Sequence, residues 1–184
     1  MRNLAALLDE AKWGKLTNEE IAYVVQKLES CKPGDDDNLY TLIHILGKAH
    51  AKQYKRKIES FLYYPSYSMI TKIALQTLCC FWGYYQEYLT EIKKFMRGVE
   101  WDDEEQIRII AISSAGQSLS LSYDHELLQL LIQIFENEKE EESIREMAYF
   151  ALATAMGQSS REIITKGFDI SVIEQALQKL NDRE

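Results

Sequence analysis

The stretch Ile107-Arg108-Ile109-Ile110-Ala111-Ile112-Ser113-Ser114-Ala115 decides the fold, because its pattern occurs three times at one interval. Ala111 lies 37 residues after Ala74 and 37 residues before Ala148. Apolar residues keep the same register four residues before each alanine, and four and eight residues after it. Self-similarity at a fixed interval of this size indicates a repeat protein. The positions in register are Ile70, Ile107 and Ile144, then Leu78, Ala115 and Leu152, then Trp82, Leu119 and Met156, with Leu42 and Leu46 at nearly the same offset one repeat earlier.

Each repeat is predicted to be a helical hairpin. The spacing of four places the apolar positions on one stripe of a helix, and glycine follows three of these helices, where it favours a helix end. A second amphipathic segment comes after a few polar residues. We expect these second helices at Lys52–Leu62, Gln86–Met96 and Asp124–Phe135, and from Arg161 onward.

The remaining segments are predicted to close the two ends of the repeat array. Residues 1–37 hold an N-terminal capping hairpin (Leu4–Trp13 and Glu19–Leu28), residues 38–165 hold the repeats, and residues 166–184 form a C-terminal cap. Capping boxes are expected at Thr17 and Ser159, and Asp102 or Asp103 is expected to cap the helix that contains Arg108. The sequence thus predicts a single all-α domain over residues 1–184, an αα-superhelix of about four hairpins.

The first helix of the hairpins carries a family resemblance. Arg108-Ile109-Ile110-Ala111 and Arg145-Glu146-Met147-Ala148 fit the pattern Arg-x-x-Ala-x-x-x-Leu/Ala, while Thr71 replaces the arginine one repeat earlier. Over roughly residues 38–165 the chain resembles HEAT-like repeats, including their short alanine-rich kind. Tetratricopeptide repeats, with a period of about 34 residues, and a generic helical bundle are the alternatives.

Composition narrows the class of partner. The chain has 29 Asp and Glu against 21 Lys and Arg, a net charge of -8, which argues against sequence-independent binding of nucleic acid. A basic protein is the more natural partner. The apolar part of Leu4–Leu8 is too short for a secretory signal, and the run Leu78–Tyr85 is too short to cross a bilayer. We therefore expect a cytoplasmic protein that does not contact membranes.

Catalytic chemistry is sparse. The three histidines, His44, His50 and His125, do not stand at metal-ligand spacing, and no phosphate-binding loop or hydrolase motif occurs. Trp101-Asp102-Asp103 is a superficial match to HEAT-like adenine glycosylases, but it lies in the most acidic third of the chain, where a DNA groove would be basic. Nothing marks a tetrapyrrole site as in bilin lyases. We expect no enzymatic activity, no cofactor and no metal.

The charges are unevenly distributed along the chain. Residues 47–97 hold nine basic and three acidic side chains, whereas residues 98–142 hold two and twelve. The acidic clusters fall at connections between hairpins, which a solenoid places along one edge, and aromatic residues accompany them. Helix capping and solubility are the alternative explanation of these carboxylates. The predicted partner-binding residues are Tyr63, Tyr64, Tyr67, Trp101, Asp102, Asp103, Glu104, Glu105, Glu138, Glu140, Glu141 and Glu142, with Asp35–Asp37 as a weaker member of the edge.

In size, acidity and repeat style the chain resembles the HEAT-like immunity proteins of bacterial contact-dependent inhibition and related toxin systems. The resemblance implies a protein that is monomeric when free and that neutralises a basic toxin domain, often a nuclease, by masking its substrate-binding surface. One alternative is an adaptor that docks a peptide or helix in a concave groove near Gln129 and Gln133. Another is a lyase-like accessory subunit.

Overall fold

The computed structural model describes residues 3–32 and 34–182, and every regular element within them is helical. The prediction of an all-α fold is confirmed, and the helices pack mainly against helices close to them in sequence, as in an α-solenoid. Short 3₁₀ turns lie at Lys52–Tyr54 and Tyr85–Tyr88, and a π-helical turn, Thr77–Phe81, continues the fifth helix. The helices of the described residues are α1 (Leu4–Lys12), α2 (Asn18–Ser30), α3 (Asp36–Lys48), α4 (Lys55–Glu59), α5 (Ser68–Gln76), α6 (Leu89–Met96), α7 (Gln106–Leu121), α8 (His125–Glu136), α9 (Glu142–Ala155), α10 (Ser160–Lys166) and α11 (Ile170–Asn181).

The chain divides into two compact units. Unit 1 comprises Met1–Tyr84 and Trp101–Ile107, and unit 2 comprises Tyr85–Glu100 and Arg108–Glu184. In unit 1, α3 packs against α1, α2, α5 and the π-helical turn. In unit 2, α8 and α9 form the most extensive pair, and α11 packs against both of them. The expectation of one domain over the whole chain stays a prediction.

The positions that defined the repeat are core positions. Ala74, Ala111 and Ala148 are fully buried, and so are the isoleucines four residues before them. The positions four and eight residues later are buried too, except Met156, which is half-buried where α9 ends. The register read from the sequence therefore marks the stripe that each first helix turns toward its own core.

One hydrogen bond recurs at the same place in each repeat. The side chain three residues before the repeat alanine donates to a carbonyl within two residues of the end of the preceding helix. Carbonyls there have no partner within their own helix, so this bond satisfies one of them and fixes one hairpin to the next. The pairs are Thr71 Oγ1 with Phe61 O at 3.3 Å, Arg108 Nε with Met96 O at 3.0 Å, and Arg145 Nε with Phe135 O at 3.0 Å.

The second helices match the prediction best where a side chain caps them. Asp124 accepts a hydrogen bond from Leu127 N at 2.8 Å, and α8 begins directly after it. No side chain caps α4 or α6, and each begins only after a 3₁₀ turn, so both helices are shorter than predicted. The capping boxes at Thr17 and Ser159 are both present.

Glycine permits one very close helix contact in each unit. A Cβ atom on Gly47 would lie 2.6 Å from Thr77 Oγ1 and 2.7 Å from the ring of Phe81 in unit 1. In unit 2, a Cβ atom on Gly116 would lie 2.6 Å from the carbonyl oxygen of Ala151. The second contact is the more demanding one, because backbone cannot rotate away as a side chain can.

We expect Gly116→Ala to lower the free energy of unfolding by about 1 to 3 kcal/mol through overpacking. This loss should appear although alanine favours a helix by about 1 kcal/mol over glycine. Urea denaturation followed by circular dichroism measures it. Gln117→Ala, at the exposed neighbouring position, is the control and should change stability by no more than about 0.5 kcal/mol. A G116A protein as stable as the parent would contradict the tight α7–α9 contact.

Candidate partner-binding site

The predicted partner-binding residues are divided between the two units. Unit 1 holds Asp35–Asp37, the three tyrosines and the segment Trp101–Glu105, while unit 2 holds the glutamates of residues 138–142. Unit 1 has eleven basic and thirteen acidic side chains, whereas unit 2 has ten and sixteen. Most of the negative charge of the chain therefore belongs to unit 2.

In unit 1 the structure brings one predicted tyrosine onto one predicted aspartate. The hydroxyl of Tyr64 donates to Asp36 Oδ1 at 3.0 Å, and its backbone N–H donates to Thr71 Oγ1 at 3.0 Å. The hydrogen bond to Asp36 is the main cause that raises the pKa of Tyr64. Tyr67 is half-buried at the start of α5, whereas 49% of Tyr63 is exposed. Tyr63 is thus the tyrosine most open to a partner.

The segment Trp101–Glu105 combines a structural carboxylate with exposed ones. Asp102 is only 6% exposed, and its Oδ2 accepts the N–H of Ile107 at 2.8 Å, which confirms the predicted capping role in the first turn of α7. Glu105 has a left-handed backbone, with φ of 53°, in the turn that precedes the helix. Asp103 and Glu104 are exposed and make no side-chain ion pair within the described residues. They are the carboxylates that this segment offers to a partner.

In unit 2 the fold itself engages one of the predicted glutamates. Arg108 is only 8% exposed and makes two hydrogen bonds to the carboxylate of Glu140, at 2.9 and 2.6 Å. The same arginine donates to the carbonyl of Met96, so its guanidinium connects the end of α6 to the turn before α9. The hydrogen bond from Arg108 lowers the pKa of Glu140. Glu138, Glu141 and Glu142 stay exposed around this ion pair.

Next to Glu142 lies a cavity that the sequence did not reveal. Its volume is about 490 Å³, and it opens among α8, α9 and the connection between α10 and α11. Four aromatic rings line its wall, and two carboxylates and one guanidinium supply the charges. The lining residues are Phe135, Glu142, Arg145, Glu146, Tyr149, Phe150, Ile163, Gly167 and Phe168.

A buried tyrosine holds the most exposed of these rings in place. The Tyr149 hydroxyl donates to the carbonyl of Gly167 at 3.1 Å and accepts the N–H of Asp169 at 2.8 Å. Gly167 has φ of 69°, a left-handed value that favours glycine. Phe168 then packs on the rings of Tyr149 and Phe135, with centroids 5.0 and 6.1 Å apart, yet 61% of it remains exposed. An ordered, exposed aromatic ring is typical of an interface anchor.

The two glutamates of the cavity lie on the exposed side of α9. Glu142, Glu146 and Phe150 follow one another at intervals of four residues and therefore lie in one row. The guanidinium of Arg145 is turned to the end of α8, where its Nε donates to the carbonyl of Phe135. Neither glutamate side chain makes a hydrogen bond or ion pair with any other residue that the structure describes. The cavity therefore has two carboxylates available at its edge.

Part of this site could have been found from the sequence. The row Glu142, Glu146 and Phe150 is visible in the sequence as a helical spacing of four, and the structure shows that all three side chains are exposed. The approach of Phe168 to Phe135 could not have been found, because 33 residues separate them and only the packing of α10 and α11 joins them.

A second cavity lies in unit 1 and has a different character. It measures about 550 Å³ among α1, α2 and α3, and its charged lining residues are Lys27, Lys32 and Asp35. Cys31 also lines it, and burial followed by the nearby Asp35 raises the pKa of that thiol. A raised pKa disfavours the reactive thiolate. Its described lining thus combines one carboxylate, that of Asp35, with two lysines and a thiol that is not activated.

Comparison with known proteins found no matching family model, no matching curated protein and no matching solved structure. The resemblance to HEAT-like repeats thus rests on the residues of the chain itself. Among residues 3–32 and 34–182, no three histidine, cysteine, aspartate or glutamate side chains are grouped so that they could hold a metal ion. None of the helices in this part of the chain combines the length and apolar character needed to cross a bilayer.

Removal of the Tyr149 hydroxyl should loosen the turn that carries Phe168. In Tyr149→Phe the amide of Asp169 loses its acceptor, so we expect its hydrogen exchange to accelerate about tenfold, the equivalent of one hydrogen bond of about 1.4 kcal/mol. Amide exchange measured by NMR reads this position directly. Amides of α8 are the internal control and should keep their rates. An unchanged rate at Asp169 would show that the hydroxyl does not hold the turn.

The ion pair between Arg108 and Glu140 should make stability depend on pH. We expect Arg108→Met to lower the free energy of unfolding by about 3 kcal/mol near pH 7, because it leaves a partly buried carboxylate and a carbonyl without their donor. The folded-state pKa of Glu140 lies below its ordinary value of 4.5, so its contribution is present above that pH and is lost as the pH falls through the folded-state value. The difference in the free energy of unfolding between the parent chain and Arg108→Met should therefore become smaller below about pH 4.5.

Arg145→Met is the matched control for this experiment. It removes the equivalent bond to a helix-end carbonyl, but Arg145 has no carboxylate partner among the described residues. Its stability deficit should stay nearly constant over the same acidic range. Equal pH profiles for the two variants, measured by urea denaturation, would argue against the role assigned to Glu140.

Proposed function

We propose that this chain is a non-catalytic binding protein that holds a basic protein on the aromatic cavity and exposed glutamates of unit 2. In line with its resemblance to HEAT-like immunity proteins, the partner is a toxin domain, a nuclease in the leading case, whose substrate-binding surface the chain masks. The chain acts in the cytoplasm and is a monomer until it meets this partner. One observation carries the proposal: ordered aromatic rings lie exposed beside two carboxylates that have no cation of their own.

Energetics support this surface over the other acidic clusters. An exposed phenylalanine ring gains free energy when a partner covers it, at roughly 25 cal/mol per Å² of apolar area. Exposed apolar side chains lie both in residues 164–170 and on α9. They are Ile164, Phe168 and Ile170 in the first segment and Phe150 in the second. Carboxylates around such rings steer a basic partner and fix its orientation. Asp103 and Glu104 in unit 1 offer carboxylates next to a half-buried Trp101, and they form the second surface to be tested.

Masking requires no chemistry from the chain. A nuclease binds the phosphates of its substrate with basic side chains. Glutamates that form ion pairs with those side chains therefore exclude the substrate. Binding energy alone then inhibits the partner. The six-charge acidic excess of unit 2 also speeds the encounter with a basic surface, and this contribution weakens as salt screens it.

The test compares charge reversals on the two surfaces. The parent chain, E142K/E146K and D103K/E104K are each used to capture proteins from the native host at low salt and at about 0.5 M salt. Asp102 and Glu140 are left unchanged because both hold the fold together. We expect one basic protein to be captured by the parent and by D103K/E104K, with affinity lowered tenfold or more, or about 1.4 kcal/mol or more, in E142K/E146K.

Function is then tested on the purified partner. The parent chain should abolish the activity of this protein on RNA or DNA at a one-to-one ratio, and E142K/E146K should not. E174K is the matched control, because Glu174 is another exposed helical glutamate of unit 2 that lies outside the cavity. Loss of binding only in D103K/E104K would move the site to unit 1. The proposal would be contradicted if the captured protein is not basic, or if neither salt nor either charge-reversal variant changes its capture. Either result would favour the adaptor alternative.

A further inference from the structure

We propose that the cavity of unit 2 is a socket for an arginine side chain of the partner. This inference rests on the proposed function and adds the chemical class of the group that anchors the partner. The occupant follows from the composition of the wall: aromatic faces, two carboxylates and one guanidinium whose Nε already donates to the carbonyl of Phe135. A planar cation that stacks on rings and donates hydrogen bonds to carboxylates matches these features.

The rings leave a defined face for the guanidinium. Phe135 and Phe168 are nearly parallel, with planes 15° apart, and already in contact, so no group fits between them. The exposed surface of Phe168 and the 38% exposed ring of Phe150 are what an incoming side chain meets. A cation placed over an aromatic face is attracted by its electron density, and arginine does this more often than lysine.

The carboxylates supply the charge complement. Glu142 and Glu146 are four residues apart on α9, a spacing at which like charges destabilise a helix by a few tenths of a kcal/mol. A bound guanidinium relieves this repulsion and can donate two hydrogen bonds to a carboxylate. Arg145 also lines the cavity, where its Nε donates to the carbonyl of Phe135, and the two carboxylates still outnumber this one cation.

An apolar side chain fits the same cavity less well. It would cover Phe168 and Phe150, but it would also remove water from Glu142 and Glu146 without giving them a partner. Desolvation of an uncompensated carboxylate costs more than the covered ring area returns. A volume of about 490 Å³ accommodates an arginine together with the backbone on either side of it, within the range of small-ligand sites.

The test uses small probes on the full chain. N-acetyl-L-arginine N-methylamide, the corresponding citrulline amide and the corresponding leucine amide are titrated to about 50 mM while the backbone amides are followed by NMR. Citrulline has nearly the shape of arginine without its charge. We expect saturable shifts at residues 167–169 and at Glu146 with the arginine amide, and an affinity at least about fivefold higher than for the other two probes.

Variants localise the interaction. E146Q and F168A should each lower the affinity for the arginine amide about fivefold, whereas E174Q should leave this affinity unchanged. The proposal is overturned if the citrulline or leucine amide binds as tightly as the arginine amide, if the shifts map outside the cavity, or if no probe gives a saturable shift. The proposed function fails separately, when E142K/E146K retains the basic partner. If that variant loses the partner but the probes show no preference for the arginine amide, the arginine socket is rejected and the proposed function stands.

Discussion

A hydrogen bond from a first-helix side chain to a helix-end carbonyl is the interaction on which the rest of the structure depends. It occurs at Thr71, Arg108 and Arg145, each three residues before the repeat alanine. Helix ends leave carbonyls without partners, so hairpins that follow one another need a donor at a fixed place. Arginine is well suited because its Nε binds the carbonyl while the rest of the guanidinium can bind something else. At Arg108 that second partner is Glu140, which fixes the turn before α9.

The same requirement separates structural carboxylates from available ones. Asp102 and Glu140 satisfy backbone or guanidinium donors inside the fold, and both lie in acidic runs that also hold exposed members, such as Asp103 and Glu141. Solvent screens an exposed carboxylate, and its removal changes stability little, whereas loss of a paired one leaves a buried donor unsatisfied. An acidic run is therefore not a uniform surface. Only its exposed members, such as Glu142, are free to meet a partner without cost to the fold.

The aromatic cavity shows how a stable fold can hold an apolar surface open. Phe168 would gain free energy from burial, but the bonds of the Tyr149 hydroxyl on either side of it fix the turn in which it lies. The ring is therefore ordered before any partner arrives, which reduces the entropy lost on binding. Exposed Ile164 and Ile170 extend the apolar area beside it.

The sequence by itself determined the helical class, the 37-residue register and the buried stripe, because apolar periodicity and capping act between residues only a few positions apart. It also predicted the caps at Thr17 and Ser159, and a cap at Asp102 or Asp103, for the same local reason, and the structure shows that Asp102 is the one used. It did not reveal the π-helical turn Thr77–Phe81, which packs against Gly47. Only the tertiary structure decided which acidic residues are engaged and where rings from distant helices meet. These outcomes depend on contacts between residues about 30 positions apart, such as Arg108 with Glu140 and Phe135 with Phe168, and no local pattern encodes such contacts.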